Sequence, residues 1–372
     1  MLRVLAVVVL LAFIGWAAWY FLDGRWYEGT DDAYISGNVV QITPQIPGTV
    51  VSIGADDGNL VHAGDVLVQL DPSDADVALA EAKANLANTV RKVRGLYSNV
   101  NGAQADVAAR QTAVKKARAD YDRRVALAKS GAISAEELSH ASDALTTAES
   151  GLIAAQQQYQ TSKVMVDDTV VSSHPDVQAA SAKLRAAFLN DARATIVAPV
   201  DGYVAKRSVQ VGQRVMPGVA LMAVVPLHEV WVDANFKETQ LTKMRIGQPV
   251  TIESDVYGGA VSYKGKVESL GVGTGSAFSL LPAQNATGNW IKIVQRIPVR
   301  VVFDDPQQLK KHPLRIGMSV AVDVGLHDQS GPTLALQAPT KPAFSTDIYK
   351  QQLVKADAAI KEIIHANMAG SK

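Results

Sequence analysis

The chain has 372 residues, enough for two to four modules, and its 36 basic and 36 acidic side chains leave no net field to attract nucleic acid or an anionic surface. The absence of cysteine excludes disulfides, thiolate catalysis, thiolate metal sites and a lipid-modified cysteine. The seven histidines include no pair at the i, i+3 or i, i+4 spacing of a helical metal motif, so surface or loop positions are expected for them, and neither a metal nor a cofactor is implied.

The first element is apolar. Val4 to Leu22 is 19 residues without a charge, which as a helix would extend about 28 Å, close to the thickness of a bilayer core. Trp16, Trp19 and Tyr20 lie near its end and Trp26 and Tyr27 just beyond, as an interfacial aromatic belt would. A cleaved signal peptide has a shorter apolar region ending at small residues, so a retained single-pass anchor is expected. Arg3 and the amino terminus precede the span, and Asp23, Glu28, Asp31 and Asp32 follow it with only Arg25 among them. The positive-inside rule therefore places residues 1–3 in the cytoplasm and the bulk of the chain outside, as in a bacterial periplasm.

Two stretches repeat. Residues 41–72 and 195–226 align without gaps at an offset of 154, matching Ile42, Gly48, Val50, Gly58, Val61, Gly64, Leu67 and Pro72 with Ile196, Gly202, Val204, Gly212, Val215, Gly218, Leu221 and Pro226. Short β-branched runs alternating with Gly turns predict four short strands per copy. Neither copy can bury its apolar face alone, so the two halves (39–72 and 195–226) are expected to form one β-sandwich. The pattern resembles a split lipoyl-like domain. Carrier enzymes of that kind display a modified lysine at a hairpin tip; none is placed so here, and the sandwich is read as structural.

Between the copies, residues 73–194 read as a helical hairpin. Positions 79, 86, 93, 100, 107, 114, 121 and 128 are Leu, Leu, Val, Val, Val, Val, Tyr and Ala, one heptad seam sustained along the outgoing arm. Leu138, Leu145, Leu152 and Tyr159, with Ala141, Ala148 and Ala155 between them, form the returning seam. Gly95 and Gly102 fall off the seam, Ser73 is expected to cap the outgoing arm, and Gly131 with Ser134-Ala-Glu-Glu137 predicts a C-cap and a capping box at the turn. The returning arm should loosen near 167–174 and restart at Pro175. Beyond 226, the runs at 250–253, 266–270, 297–303 and 320–324 predict strands of a β-barrel over 227–326, with residues 30–38 as an early strand. Gly271, Gly273 and Gly275 do not open a helix in a βαβ unit, so they are not read as a nucleotide loop. After Asp328, prolines mark a linker. Ile348, Leu353, Ile360, Ile363 and Ile364 then pattern as an amphipathic helix with no assigned role.

This order of parts, a single span, half sandwich, helical hairpin, half sandwich and β-barrel, resembles the HlyD-type membrane fusion proteins and, among them, the EmrA-type periplasmic adaptors of multidrug efflux pumps. The most specific words are Thr30-Asp-Asp-Ala-Tyr34, Val230-Trp-Val-Asp-Ala-Asn-Phe-Lys-Glu238, Arg245-Ile-Gly-Gln-Pro249 and the stretch from Gly273 to Lys292. The resemblance implies a non-enzymatic adaptor in the inner membrane, a homo-oligomer (trimer or hexamer). Its implied partners are an inner-membrane major-facilitator drug/proton antiporter and a TolC-like outer-membrane channel. Related hairpin tips dock on the channel through Arg, Leu and Ser at spacings of four and seven, which Arg123, Leu127 and Ser134 match, with Ser130 and Gly131 at the turn. The segment 276–290, carrying Phe278, Leu280, Leu281 and Trp290, is expected to contact the transporter or a neighbouring subunit. The alternative is an adaptor of an ATP-driven type I protein secretion system; those carry longer hairpins and a cytoplasmic amino-terminal segment.

Overall fold

The computed structural model describes residues 10–11, 13–17, 20–21, 24–167, 169–275, 277–278, 293–340 and 342–368. Within the apolar segment 4–22, the described residues are helical, and Leu10, Leu11, Phe13, Ile14, Trp16, Tyr20 and Phe21 are exposed. Among the described residues, no helix is long and apolar enough to cross a membrane. The chain divides into two compact units, residues 1–69 with 196–346 and residues 70–195 with 347–372.

The first unit contains a sandwich and a barrel. The sandwich strands are β2 (Val40–Ile42), β3 (Gly48–Ile53), β4 (Leu60–Val61) and β5 (Val66–Leu70) from one repeat, and β6 (Thr195–Val197), β7 (Gly202–Ala205), β8 (Arg214–Val215) and β9 (Met222–Val225) from the other. One sheet runs β2-β9-β7-β4 and the other β6-β5-β3-β8. Exchanging the repeats turns the first order into the second, so each sheet is woven from both copies. The matched pairs Ile42/Ile196, Val50/Val204, Val61/Val215 and Leu67/Leu221 are all buried, because alternate residues of each strand point between the sheets. Gly58 and Gly212 hold the same turn at φ 84° and 82°, a conformation in which a Cβ would clash.

The barrel closes in the order β1-β10-β13-β12-β11-β14. Its strands are β1 (Tyr27–Ser36), β10 (Trp231–Lys237), β11 (Pro249–Ser254), β12 (Ser262–Leu270), β13 (Arg296–Phe303) and β14 (Ser319–Gly325). Phe236, Ile252, Tyr263, Val299 and Val301 fill its core. Burial pushes the Tyr263 phenol up to about 12, and its hydroxyl donates to the His312 carbonyl at 2.9 Å. The words that carry the family resemblance are mostly barrel joinery. Thr30–Tyr34 and Val230–Glu238 lie on neighbouring strands, with Ala33 opposite Ala234. Arg296 pairs with Asp32 at 2.9 Å, Asn235 donates to Asp32 at 3.2 Å, and Thr30 donates to the Asn235 carbonyl at 3.0 Å. Buried Gln248 donates to the Asp328 carbonyl at 2.7 Å and accepts from the Arg245 amide at 2.8 Å, closing the turn at Gly247.

The second unit is helical: α1 (Ser73–Lys129), α2 (Ala135–Val164) and α3 (Pro175–Ala192), with α5 (Lys350–Met368) from the far end of the chain; the short α4 (Pro306–Lys311) belongs to the first unit. At 57 residues α1 is about 85 Å long. Its seam is buried at Leu79, Leu86 and Val93 and half-buried from Val100 to Ala128 against α2, and Arg118 and Glu149 join the arms at 2.6 Å. A Cβ at Gly95 or Gly102 would meet open space. Changing both to Ala should therefore stabilise the hairpin by about 1 kcal/mol each, measured as a higher melting temperature; no rise would mean that the helix is bent or contacted there.

Three sequence expectations need correction. Pro72, not Ser73, occupies the cap position of α1; Ser73 is the first helical residue, and its amide and hydroxyl both donate to Asp71, at 3.0 and 2.6 Å. Proline is pre-set in φ for a helix start, and Asp71 supplies the acceptor that a capping serine would have. His174 is buried rather than superficial. Its Nδ1 accepts the Asp176 amide at 3.2 Å and its Nε2 lies 3.1 Å from the Met165 carbonyl, so the neutral ring with the proton on Nε2 caps α3 and ties it to the end of α2. Of the expected apolar face of α5, Leu353 is exposed and Ile348 precedes the helix, whereas Ile360, Ile363 and Ile364 pack as expected, joined by buried Ala356. Ile360 joins Leu79, Leu86, Val90, Val93, Val177 and Leu184 in one core, making a three-helix bundle of α1, α3 and α5. Arg185 binds Asp357 through Nε and Nη2 at 2.9 and 2.6 Å. Arg91 and Arg94 reach the last turn of α5, where exposed carbonyls favour cations.

One acidic pair in this bundle is frustrated. Partial burial, then the Asp76 carboxylate and a hydrogen bond with it, push the Asp191 carboxyl above its ordinary value of 3.8, and Lys83 only partly offsets this. The folded state keeps that proton to higher pH than the unfolded chain. The group's contribution is thus fully present below 3.8 and lost as pH rises through the raised value. Asp191→Asn should raise stability at pH 7 and flatten the pH dependence in that window, as read by chemical denaturation across pH. An unchanged profile would place the charge elsewhere.

Candidate functional site: the hairpin tip

The tip forms because the helix signals at its two sides conflict with continuation. Gly131 takes φ 73°, and the amides of Ser130, Gly131 and Ala132 turn back to the Leu127 and Ala128 carbonyls at 3.0 to 3.2 Å, satisfying the end of α1. Ser134 then opens α2 with a reciprocal capping box: its hydroxyl accepts the Glu137 amide at 3.1 Å, and its own amide donates to the Glu137 carboxylate at 3.0 Å. Arg124 donates across the turn to the Glu137 carbonyl at 3.3 Å. The turn is thus fastened by backbone, Ser134 and Arg124.

Arg123 and Leu127 lie one helical turn apart on one face of α1, and both are exposed, Leu127 at 42%. Arg123 forms an ion pair with Asp120, and Asp120 also holds Arg124 at 3.1 Å. Ser130 is exposed, and its hydroxyl donates to the Leu127 carbonyl at 2.8 Å. Arg123, Leu127, Ser130, Gly131 and Ser134 are therefore brought together at one end of the helix pair. They fall into fastening residues (Ser130, Gly131 and Ser134) and outward-facing ones (Arg123 and Leu127).

Of the second predicted group, Phe278 is 71% exposed and its ring lies over Gly273, where a Cβ would sit 2.7 Å from it. Leu280, Leu281 and Trp290 lie outside the described residues. Among the described residues no group of His, Cys, Asp and Glu could hold a metal ion. Sequence reasoning missed the roles of Arg124 and Asp120; their spacing to the turn was visible, but nothing local says which arm a side chain crosses.

Two family models match the chain: the EMRA alpha-helical hairpin domain over residues 73–194 and the AAEA-like beta-barrel domain over residues 229–325. The Multidrug export protein EmrA of Escherichia coli is 47% identical over 349 residues, 94% of this chain and 89% of that protein. The Fatty acid resistance protein FarA of Neisseria gonorrhoeae is 46% identical over 336 residues, 90% of this chain and 84% of that protein. Among solved structures, the periplasmic adaptor protein EmrA aligns with a TM-score of 0.40 at 18% identity, over 81% of this chain and 99% of that one. With the hairpin and the barrel each matched to a family model, and relatives this similar along nearly their whole length, the chain belongs to the EmrA family of multidrug export adaptor proteins.

Proposed function

We propose that this protein is the periplasmic adaptor of a multidrug efflux pump, joining an inner-membrane major-facilitator antiporter to a TolC-like outer-membrane channel and catalysing no reaction itself. The observation that carries the reading is the near-full-length kinship with EmrA at 47% identity, with a hairpin between the two halves of a sandwich that neither half could build alone. Residues 4–22 are the inner-membrane anchor in this reading, supported by their uncharged run and by the exposed apolar side chains of the described helical residues. The protein acts as a homo-oligomer, trimer or hexamer, so that several tips meet one channel. Arg123 and Leu127 are the docking side chains, and Phe278, with Leu280, Leu281 and Trp290, contacts the transporter or the next subunit.

A photo-reactive residue at position 130, in cells carrying the pump, should trap the outer-membrane channel, whereas one at Gln210 in the sandwich should not. Trapping of no outer-membrane protein from position 130 would remove the bridging role. Cargo follows from kinship in outline: one relative is named for multidrug export and another for fatty acid resistance, so hydrophobic and amphiphilic compounds are the expected range.

A further inference from the structure

A β-sandwich strand alternates between core and solvent, so the outward face should be polar. In the ladder of β7 and β9 the inward residues are Val204 and Val224, both buried. The outward residues are Tyr203 opposite Val225 and Ala205 opposite Ala223, a largely apolar set in which Ala223 is itself covered and Gln41 of β2 lies opposite it. The internal repeat supplies the control. At the offset of 154, the strand positions Tyr203, Ala205 and Ala223 correspond to Thr49, Val51 and Gln69, two of them polar, and Val225 corresponds to Asp71, which lies just past β5 and serves the start of α1. The same architecture thus tolerates polar outward residues in one copy and carries apolar ones in the other, so the sandwich by itself does not require them.

This face forms one wall of a cleft of about 680 Å³, within the range of about 300–1,000 Å³ that drug-sized ligands occupy. Leu227 and Ile316, packed on the barrel core, also line it, and Val39, 49% exposed, contributes a further apolar side chain. Two cations line the same cleft, Lys206 and Arg315, and no carboxylate does. Neither side chain has an ion pair or hydrogen bond among the described residues; for Lys206 that is ordinary, since few described lysines are paired, but it sets Arg315 apart from most described arginines. Lys206 is also the one non-glycine described residue with positive φ, at 52°. Backbone of this kind persists where surrounding structure imposes it and concentrates at ligand sites. Its repeat counterpart is Ser52, which is not so strained.

From the broken symmetry and the unpaired cations, we infer that this cleft binds an amphiphilic organic carboxylate, its apolar body on the β7–β9 face and its head between Lys206 and Arg315. The inference deepens the efflux-adaptor reading by giving the adaptor a site for cargo, and it rests on that reading for the cargo's origin but not for the binding itself.

The test uses the full-length protein in nanodiscs with a clickable diazirine analogue of palmitic acid, peptide mapping after irradiation, and the position-130 crosslink run in parallel in cells. Labelling should concentrate in peptides containing Tyr203–Lys206, Ala223–Leu227 or Pro313–Ile316. It should fall about ten-fold or more in the Lys206→Gln, Arg315→Gln double variant and persist in Lys206→Arg, since charge-assisted hydrogen bonds to the head are lost only in the first. Both changes are at exposed side chains, so folding is preserved, and a matching melting curve verifies it. A probe of equal length with a trimethylammonium head should label the cleft at least about ten-fold less. Equal labelling by that probe, labelling confined to residues 4–22, or stronger labelling by a photo-reactive phosphatidylglycerol each overturns the carboxylate site. An unlabelled cleft with an intact channel crosslink sinks this inference alone; a labelled cleft without the crosslink sinks the adaptor reading and leaves the site standing.

Discussion

Changing Arg123 to Glu and Leu127 to Asp together should reduce drug resistance to the level of cells lacking the adaptor, while the purified protein keeps its helix content and melting temperature. Both side chains are exposed, and the turn is held by Gly131, Ser134 and Arg124, so the hairpin loses little by the change. If the pair sits at the centre of a docking surface, its loss is that of an interface hot spot, about 2 kcal/mol or more, or about 30-fold in affinity. Minimum inhibitory concentrations and the yield of the position-130 crosslink measure it. The contrasting variant Ser134→Ala should cost about 1 kcal/mol at the α2 cap and act through stability rather than docking. Full resistance in the Arg123, Leu127 double variant would free the tip of any role in the pump.

The second large effect belongs to the bundle at the other end of α1. Leu86 is fully buried, and Val90, Leu184 and Ile360 belong to the same core. Leu86→Ala should cost about 2–5 kcal/mol, the transfer of the lost side chain plus the cavity it leaves. The signature is a lower melting temperature together with earlier hydrogen exchange in α3 and α5, since those helices share the core. A loss confined to α1 would mean that α5 is not seated there in solution. Such a loss is a large share of a domain's usual margin of about 5–15 kcal/mol, so resistance should fall through loss of folded protein even though Leu86 is far in sequence from the turn.

The helical hairpin was legible because its information is local and periodic. A residue every seventh position, from Leu79 to Ala128, lies on one face of a helix whatever that face later meets, and Gly131 with Ser134 stop and restart the helix through bonds spanning four residues. The repeat was legible for a similar reason, since matched glycines at Gly58 and Gly212 record the same turn twice. Less was legible of α5. An amphipathic pattern says that a face must be covered, not by what, and the pairing of Ile360 with Leu86 spans most of the chain. Ser73 misled because a serine beside a proline looks like a cap until the Asp71 acceptor is seen.

What the sequence determined by itself, then, is the set of elements and the kinship: the strand repeats, the paired arms, the turn between them, and words such as Thr30–Tyr34 that mark the family. Those follow from backbone geometry and near-neighbour chemistry, which a short window contains. The tertiary structure decided which surfaces meet. It showed that α5 completes the core around Leu86, that β1 closes the barrel by pairing with both β10 and β14, and that Val39, Tyr203, Lys206 and Arg315 line one cleft. Each of these joins residues more than 150 positions apart, and burial of apolar surface, being non-directional, specifies such partners only when the whole chain is packed.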